Sequence, residues 1–207
     1  MGDNHIERVT SFVHLDDLGH IINSDLNNKD DILHRCCTFI AQVNNVLCYI
    51  PRLDADVRYK LFWSYCSSIF ECEHWNLNEP SINSFCTAWR TGLRRIWKVP
   101  NTTHTVLLHL LSDDLLIFEE LCRRSFMFIH NCFFHNSSLV RFVTRYAVLA
   151  GQYGSVIGSN FRLCISRFGV DERAFCDGLV SVDCAVKQYH SRVIDQGPDF
   201  QNFLSFS

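Results

Sequence analysis

Between Pro80 and Pro100 the chain carries a single apolar stripe made of Ile82, Phe85, Trp89, Ile96 and Trp97. Those positions fall on one side of a helix of 3.6 residues per turn. Pro80 sits in the first turn, where a missing N–H costs little, and Pro100 lies just past the end. A helix with two tryptophans and a phenylalanine on one face must bury large rings. The whole chain makes the same demand, with 17 Phe and 4 Trp in 207 residues. The 47% hydrophobic and 20% charged content suits a packed core and excludes a disordered composition.

Helical spacing recurs on either side of this element. Ile32, Cys36, Phe39, Ile40, Val43 and Leu47 share one face of a predicted helix that Asn28 or Asp30 caps and Pro51 stops. A second helix is predicted over 55–69, burying Val57, Leu61, Phe62, Tyr65 and Ile69. A short one is expected from His104 to Leu111. Asp113-Asp114 then favours a new N-terminus by complementing the helix dipole, ahead of Leu115, Phe118, Leu121, Cys122, Phe126, Ile129 and Phe133. Ser137-Ser138 offers a cap before Leu139, Val140, Phe142, Val143 and Tyr146. After Gly151 the periodicity fades, and one weak helix is expected around Ala185 to Ile194. Ahead of all this, 11–24 alternates loosely and reads as one or two short strands turning near Asp16-Asp17-Leu18-Gly19.

Charge is unevenly spread. The formal net charge is −3, yet residues 85–170 hold ten Arg or Lys against Asp113, Asp114, Glu119 and Glu120, a local balance of 10 − 4 = +6. Arg90, Arg94 and Lys98 recur every four residues and share one helical face within about 80° of arc. An acidic protein can therefore carry a basic face.

No catalytic constellation stands out: G-x-S-x-G, the P-loop and G-x-G-x-x-G are missing. His104-x₄-His109 supplies half of a zinc pattern, but no close cysteine pair completes it, and Cys72-x-His74 is too tight, so no metal ligand is assigned among Cys66, Cys72, His74, His104 and His109. Asp16-Asp17 is expected to be a turn and not a two-metal carboxylate pair. Eleven cysteines, with no signal-peptide-like stretch after Met1-Gly2-Asp3-Asn4-His5, are expected to be reduced thiols. No run reaches membrane-span length. A cytoplasmic or nuclear chain without membrane contact is the expectation.

Several phrases resemble a known family. Leu18-Gly19-His20-Ile21-Ile22-Asn23-Ser24-Asp25-Leu26-Asn27, Asp30-Asp31-Ile32, Asn44-Asn45-Val46-Leu47-Cys48-Tyr49 and Leu61-Phe62-Trp63-Ser64-Tyr65-Cys66-Ser67-Ser68 look like non-LTR (LINE-type) retrotransposon reverse transcriptases just after their catalytic motif. Trp75-Asn76-Leu77 and Ala88-Trp89-Arg90-x-Gly92-Leu93-Arg94-Arg95-Ile96-Trp97 continue the likeness, which runs over about 12–168.

The resemblance implies a mainly α fold: a helical thumb-like bundle preceded by a short β-hairpin. It divides the chain into a palm and primer-grip remnant (1–27) and a thumb and connector (28–170), and the fading periodicity beyond leaves a weakly structured tail (171–207). Leu18, Gly19 and His20 would then be primer-grip-like. Arg90, Arg94, Arg95, Lys98, Arg123 and Arg124 would hold a nucleic-acid duplex through its phosphates, without reading sequence. The full-length family enzyme would use Mg. The fingers and the metal-binding aspartates of the palm have no counterpart here, so no catalysis and no cofactor are expected of this chain alone. The implied partners are an RNA–DNA or DNA duplex, the absent palm and fingers, or a second copy meeting through exposed apolar surface. The alternatives are a helical protein-interaction module and a transposon-derived fragment without function.

Overall fold

The computed structural model describes residues 11–13, 21–25, 27–49, 53–67, 69, 72–149 and 154–195. Strands β1 (Ser11–Val13) and β2 (Ile21–Asn23) pair antiparallel, with Phe12 opposite Ile22. The expected hairpin is thus present. Its turn, including Leu18, Gly19 and His20, lies outside the described residues.

Helices follow in the order α1 (Lys29–Tyr49), α2 (Ala55–Cys66), α3 (Pro80–Trp97), α4 (Thr105–Ser112), α5 (Ile117–Phe133), α6 (Ser138–Leu149), α7 (Val156–Phe168), α8 (Glu172–Cys176) and α9 (Val182–Asp195). The fold is mainly α.

Aromatic side chains build the core in two clusters. In the first, Phe39 of α1 stacks on Trp89 of α3 with ring centroids 4.8 Å apart, while Phe62 of α2 meets both rings edge-on. The second joins Phe126 of α5, Phe161 and Phe168 of α7 and Phe175 of α8, and is buried throughout. Between them runs the segment after the 3-10 turn Cys72–His74. There the buried Asn160 of α7 accepts from the Leu77 N–H at 3.0 Å and donates to the Trp75 carbonyl at 2.7 Å. One amide closes both backbone groups of a loop that would otherwise be buried unpaired.

Four expectations need correction. Asp113 does not open a helix: it ends α4 in the left-handed conformation at φ 49°, and Glu119 and Glu120 supply the acids of α5's first turn. In α2 the buried positions are Arg58, Phe62 and Cys66, so Val57 and Tyr65 face outward. The apolar residues of α6 also point largely away from the core. The stretch 171–207, read as weakly structured, holds α8 and α9, whose Phe175, Val182, Ala185 and Val186 are buried.

Candidate nucleic-acid interface

Helix α3 has no acidic residue from Pro80 to Trp97. Its buried side is Ile82, Phe85, Cys86, Trp89, Gly92, Leu93 and Ile96. Its outward side is hydroxyls, amides and cations: Asn83, Ser84, Thr87, Thr91 and Arg95 are exposed, as is Lys98 just past the last turn. Lys98 caps the helix at φ 56°, where its N–H reaches the carbonyls of Arg94 and Arg95.

The basic residues of α3 are not equivalent. Arg94 is turned inward on the loop that follows, where its Nε and Nη2 donate to the Thr103 carbonyl at 3.1 and 2.8 Å. This bidentate clamp fixes the α3–α4 connection. Arg95 points to the other side, and one of its nitrogens donates to Asn44 Oδ1 of α1 at 2.8 Å. Arg90 donates to Thr87 Oγ1 at 3.0 Å and turns toward the side of α3 away from α1, where it lines a pocket with Glu119. Two side chains at adjacent positions therefore do different work.

A groove of about 600 Å³ runs between α1 and α3 beside this face. Phe39, Ile40 and Val43 form its floor, Ser84, Thr87 and Thr91 its polar wall, and Arg95 sits at its lip. No acid lines it. Gly92 lets the two helices approach closely, since a Cβ there would meet Phe39 Cζ at 3.1 Å and Val43 Cγ2 at 3.3 Å.

Arg123 and Arg124 stand elsewhere, on α5, and their guanidinium groups are engaged. Both bond Glu120, in each case at 2.7 Å, and Arg124 also donates to the carbonyls of Ile69 and Ser67. Burial pushes the Glu120 carboxyl up, but the hydrogen bonds and charges of the two arginines outweigh it and hold the group below the usual carboxylate range. Arg124 ties α5 to the chain just past α2, while Arg123 is paired within α5 itself, so the six predicted cations do not form one surface.

The sequence reading passed over a second polar centre. Buried Glu119 accepts from Arg167 of α7 and, at 3.4 Å, from the Tyr189 hydroxyl of α9. A pocket of about 360 Å³ beside it is lined by Arg90, His109 and Arg167 together with Leu116, Phe118 and Val193. His109 Nδ1 donates to the Asp114 carbonyl at 3.2 Å, and desolvation, opposed by that bond, holds the imidazole below its ordinary pKa. The available signal was Glu119-Glu120 itself, two acids inside an apolar stripe, which require cationic partners if buried.

The zinc candidates are scattered. Cys66 and Cys72 are buried thiols, each pushed up to about 12 by burial; His74 lies edge-on to Phe128; His104 caps α4 by accepting from the Val106 N–H. Among the described residues no group of three His, Cys, Asp or Glu side chains gathers to hold a metal, and no helix is long and apolar enough to cross a membrane. No protein-family model, curated protein or solved structure matches the chain.

Proposed function

We propose that the exposed face of α3, with the groove beside it, binds the sugar–phosphate backbone of an RNA–DNA or DNA duplex weakly and without sequence preference, and that the chain acts as the thumb-like part of a reverse transcriptase-type protein, without catalysis of its own. The observation that carries this reading is the absence of any acid from α3 and the groove, where hydroxyls, amides and the charges of Arg95 and Lys98 face outward. Phosphate oxygens are met by such groups in any base sequence, which makes the contact positional and not selective. Arg94 supports the interface by fixing the α3–α4 connection, and Arg124 by tying α5 to the chain past α2.

The test is fluorescence anisotropy with labelled RNA–DNA and DNA duplexes of two unrelated sequences, at low and physiological salt. The expected result is micromolar binding, similar for both sequences. With about three phosphates neutralised, log K should fall with log salt at a slope of roughly −2 to −3. The double variant Arg95→Glu, Lys98→Glu should bind at least tenfold more weakly, while Arg173→Glu, an exposed cation on α8, changes affinity much less. Equal affinity in the double variant and the wild type overturns the assignment.

A further inference from the structure

Helix α6 turns its apolar side outward. Leu139 is 70% exposed, Phe142 68%, Val143 52% and Tyr146 63%, while Thr144, Ala147 and Val148 face the core. The Phe142 and Tyr146 rings stack on each other at 6.5 Å with planes 20° apart, forming a flat plate. The only charged groups on the helix are Arg141 and Arg145. Both are drawn back from the stripe: Arg141 donates to the His135 carbonyl at 3.2 Å, and the Arg145 guanidinium lies 4.9 Å from the centre of the Phe133 ring. Four large side chains are thus left in water on one neutral strip.

The spacing of the strip suits a second copy of the same helix. Positions 139, 142, 143 and 146 are separated by three, one and three residues, a pattern that reads the same in both directions. A second α6 laid antiparallel across the first meets it position for position: Leu139 of each copy against Tyr146 of the other, Phe142 against Val143. Each contact sets an aromatic ring on an aliphatic side chain, and no charge is buried. The strip offers roughly 500 Å² per copy, and the pair roughly 1,000 Å², the lower bound for a specific interface.

We propose that α6 is the contact of a weak, reversible two-fold dimer of this chain, built on an antiparallel α6–α6 crossing. The two Arg145 side chains fall on the same edge of that pair, so their repulsion is screened as salt rises and the dimer holds or tightens. Duplex binding through α3 responds to salt in the opposite sense, and the failure of either assignment leaves the other standing.

Sedimentation equilibrium of the full chain, across low to high micromolar concentration and two salt levels, is the measurement. The expected result is a monomer–dimer equilibrium that added salt does not weaken. Phe142→Glu should weaken it at least tenfold. Tyr146→Lys repeats that test on a separate position should Phe142→Glu lose helicity by circular dichroism. Ser138→Glu should tighten the dimer several-fold, because the antiparallel register puts that position beside Arg145 of the other copy. Three results overturn the proposal: a monomer at every concentration, a dimer indifferent to Phe142→Glu and Tyr146→Lys, or a monomer that binds vesicles containing phosphatidylserine through the same strip.

Discussion

The carboxylate of Asp31 accepts a 2.7 Å hydrogen bond from the indole N–H of Trp75, 44 residues further along the chain. Both residues are buried, and the second carboxylate oxygen accepts from the Ile21 N–H at 3.2 Å. One side chain thus joins the hairpin, α1 and the loop before α3. Asp31→Ala strips one buried and one partly buried donor of their acceptor, and the expected loss is about 3 kcal/mol. Urea unfolding followed by tryptophan fluorescence measures it. Trp75→Phe, which removes the indole donor, leaves a buried carboxylate short of one partner and opens a cavity in the core, should cost about 3 kcal/mol. Equal stability of Asp31→Ala and wild type would show that this junction contributes nothing.

Gly92 gives a second test, since two effects oppose each other there. Alanine in a helix interior is favoured over glycine by about 1 kcal/mol. The added Cβ would, however, meet Phe39 Cζ at 3.1 Å. Phe39 is held on three sides, stacked on Trp89 and edge-on to Phe62 and Phe85, so moving it toward the groove breaks these contacts. Overpacking of this kind costs about 1–3 kcal/mol, so Gly92→Ala should be net destabilising by about 1 kcal/mol. A shift of the urea midpoint to higher concentration would show that the α1–α3 contact is looser than the packing implies.

How far the sequence disclosed the molecule follows from where the information lies. Helices α1 and α3 could be read because each carries its large apolar residues on one side, with proline beyond the end. Helix α9 was harder: its buried positions include Ala185, a small residue, and Cys184 and His190 interrupt the pattern, although Val182, Ala185, Val186, Tyr189 and Val193 do keep helical spacing. The basic residues were legible as a composition and not as a surface. Nothing local distinguishes Arg94, spent on the Thr103 carbonyl, from Arg95, which reaches Asn44. Arg123 and Arg124 could not be told from solvent-facing cations until Glu120, three and four residues earlier, was known to be buried. The outward face of α6 ran against expectation for a related reason. Periodicity gives a helix its stripe and leaves open whether a neighbour covers it.

The cysteines should divide into kinetic classes. All eleven are free thiols, with Cys37, Cys48 and Cys184 exposed. Cys36, Cys132 and Cys176 are partly covered, and burial raises each of them. Cys66, Cys72 and Cys86 are buried and pushed up to about 12 by desolvation, and Cys164 donates to the Cys122 carbonyl inside the core. Since the thiolate is the reactive form, a disulfide reagent at pH 8 should modify Cys37, Cys48 and Cys184 fast and the partly covered group more slowly. The buried thiols should react only at the rate of unfolding. Fast modification of Cys86 or Cys122 in the folded chain would contradict the packing of α3 on α5.

Acid should destabilise the fold in two stages. Burial, opposed by the Asp114 carbonyl bond, holds His109 below its ordinary value, so the folded chain prefers the neutral ring. Its contribution is complete above the unfolded value of about 6.5 and is lost as pH falls through the lower folded value. Glu120 follows in a lower window. Its folded carboxyl lies below the usual range, because Arg123 and Arg124 outweigh the effect of burial, so its contribution is complete above about pH 4.3 and is lost on further acidification. Asp114, which burial pushes up, works in the opposite direction and blunts the slope between these windows. Comparing variants isolates each stage. Glu120→Gln should flatten the lower stage and lower stability at pH 7 by about 2 kcal/mol, the small end for a broken buried pair because both arginines remain partly in water. His109→Gln should flatten the upper stage alone. Thermal unfolding from pH 8 to pH 3 reads both, and an unchanged profile in Glu120→Gln would remove the Glu120–Arg123–Arg124 lock from the account of how α5 is held.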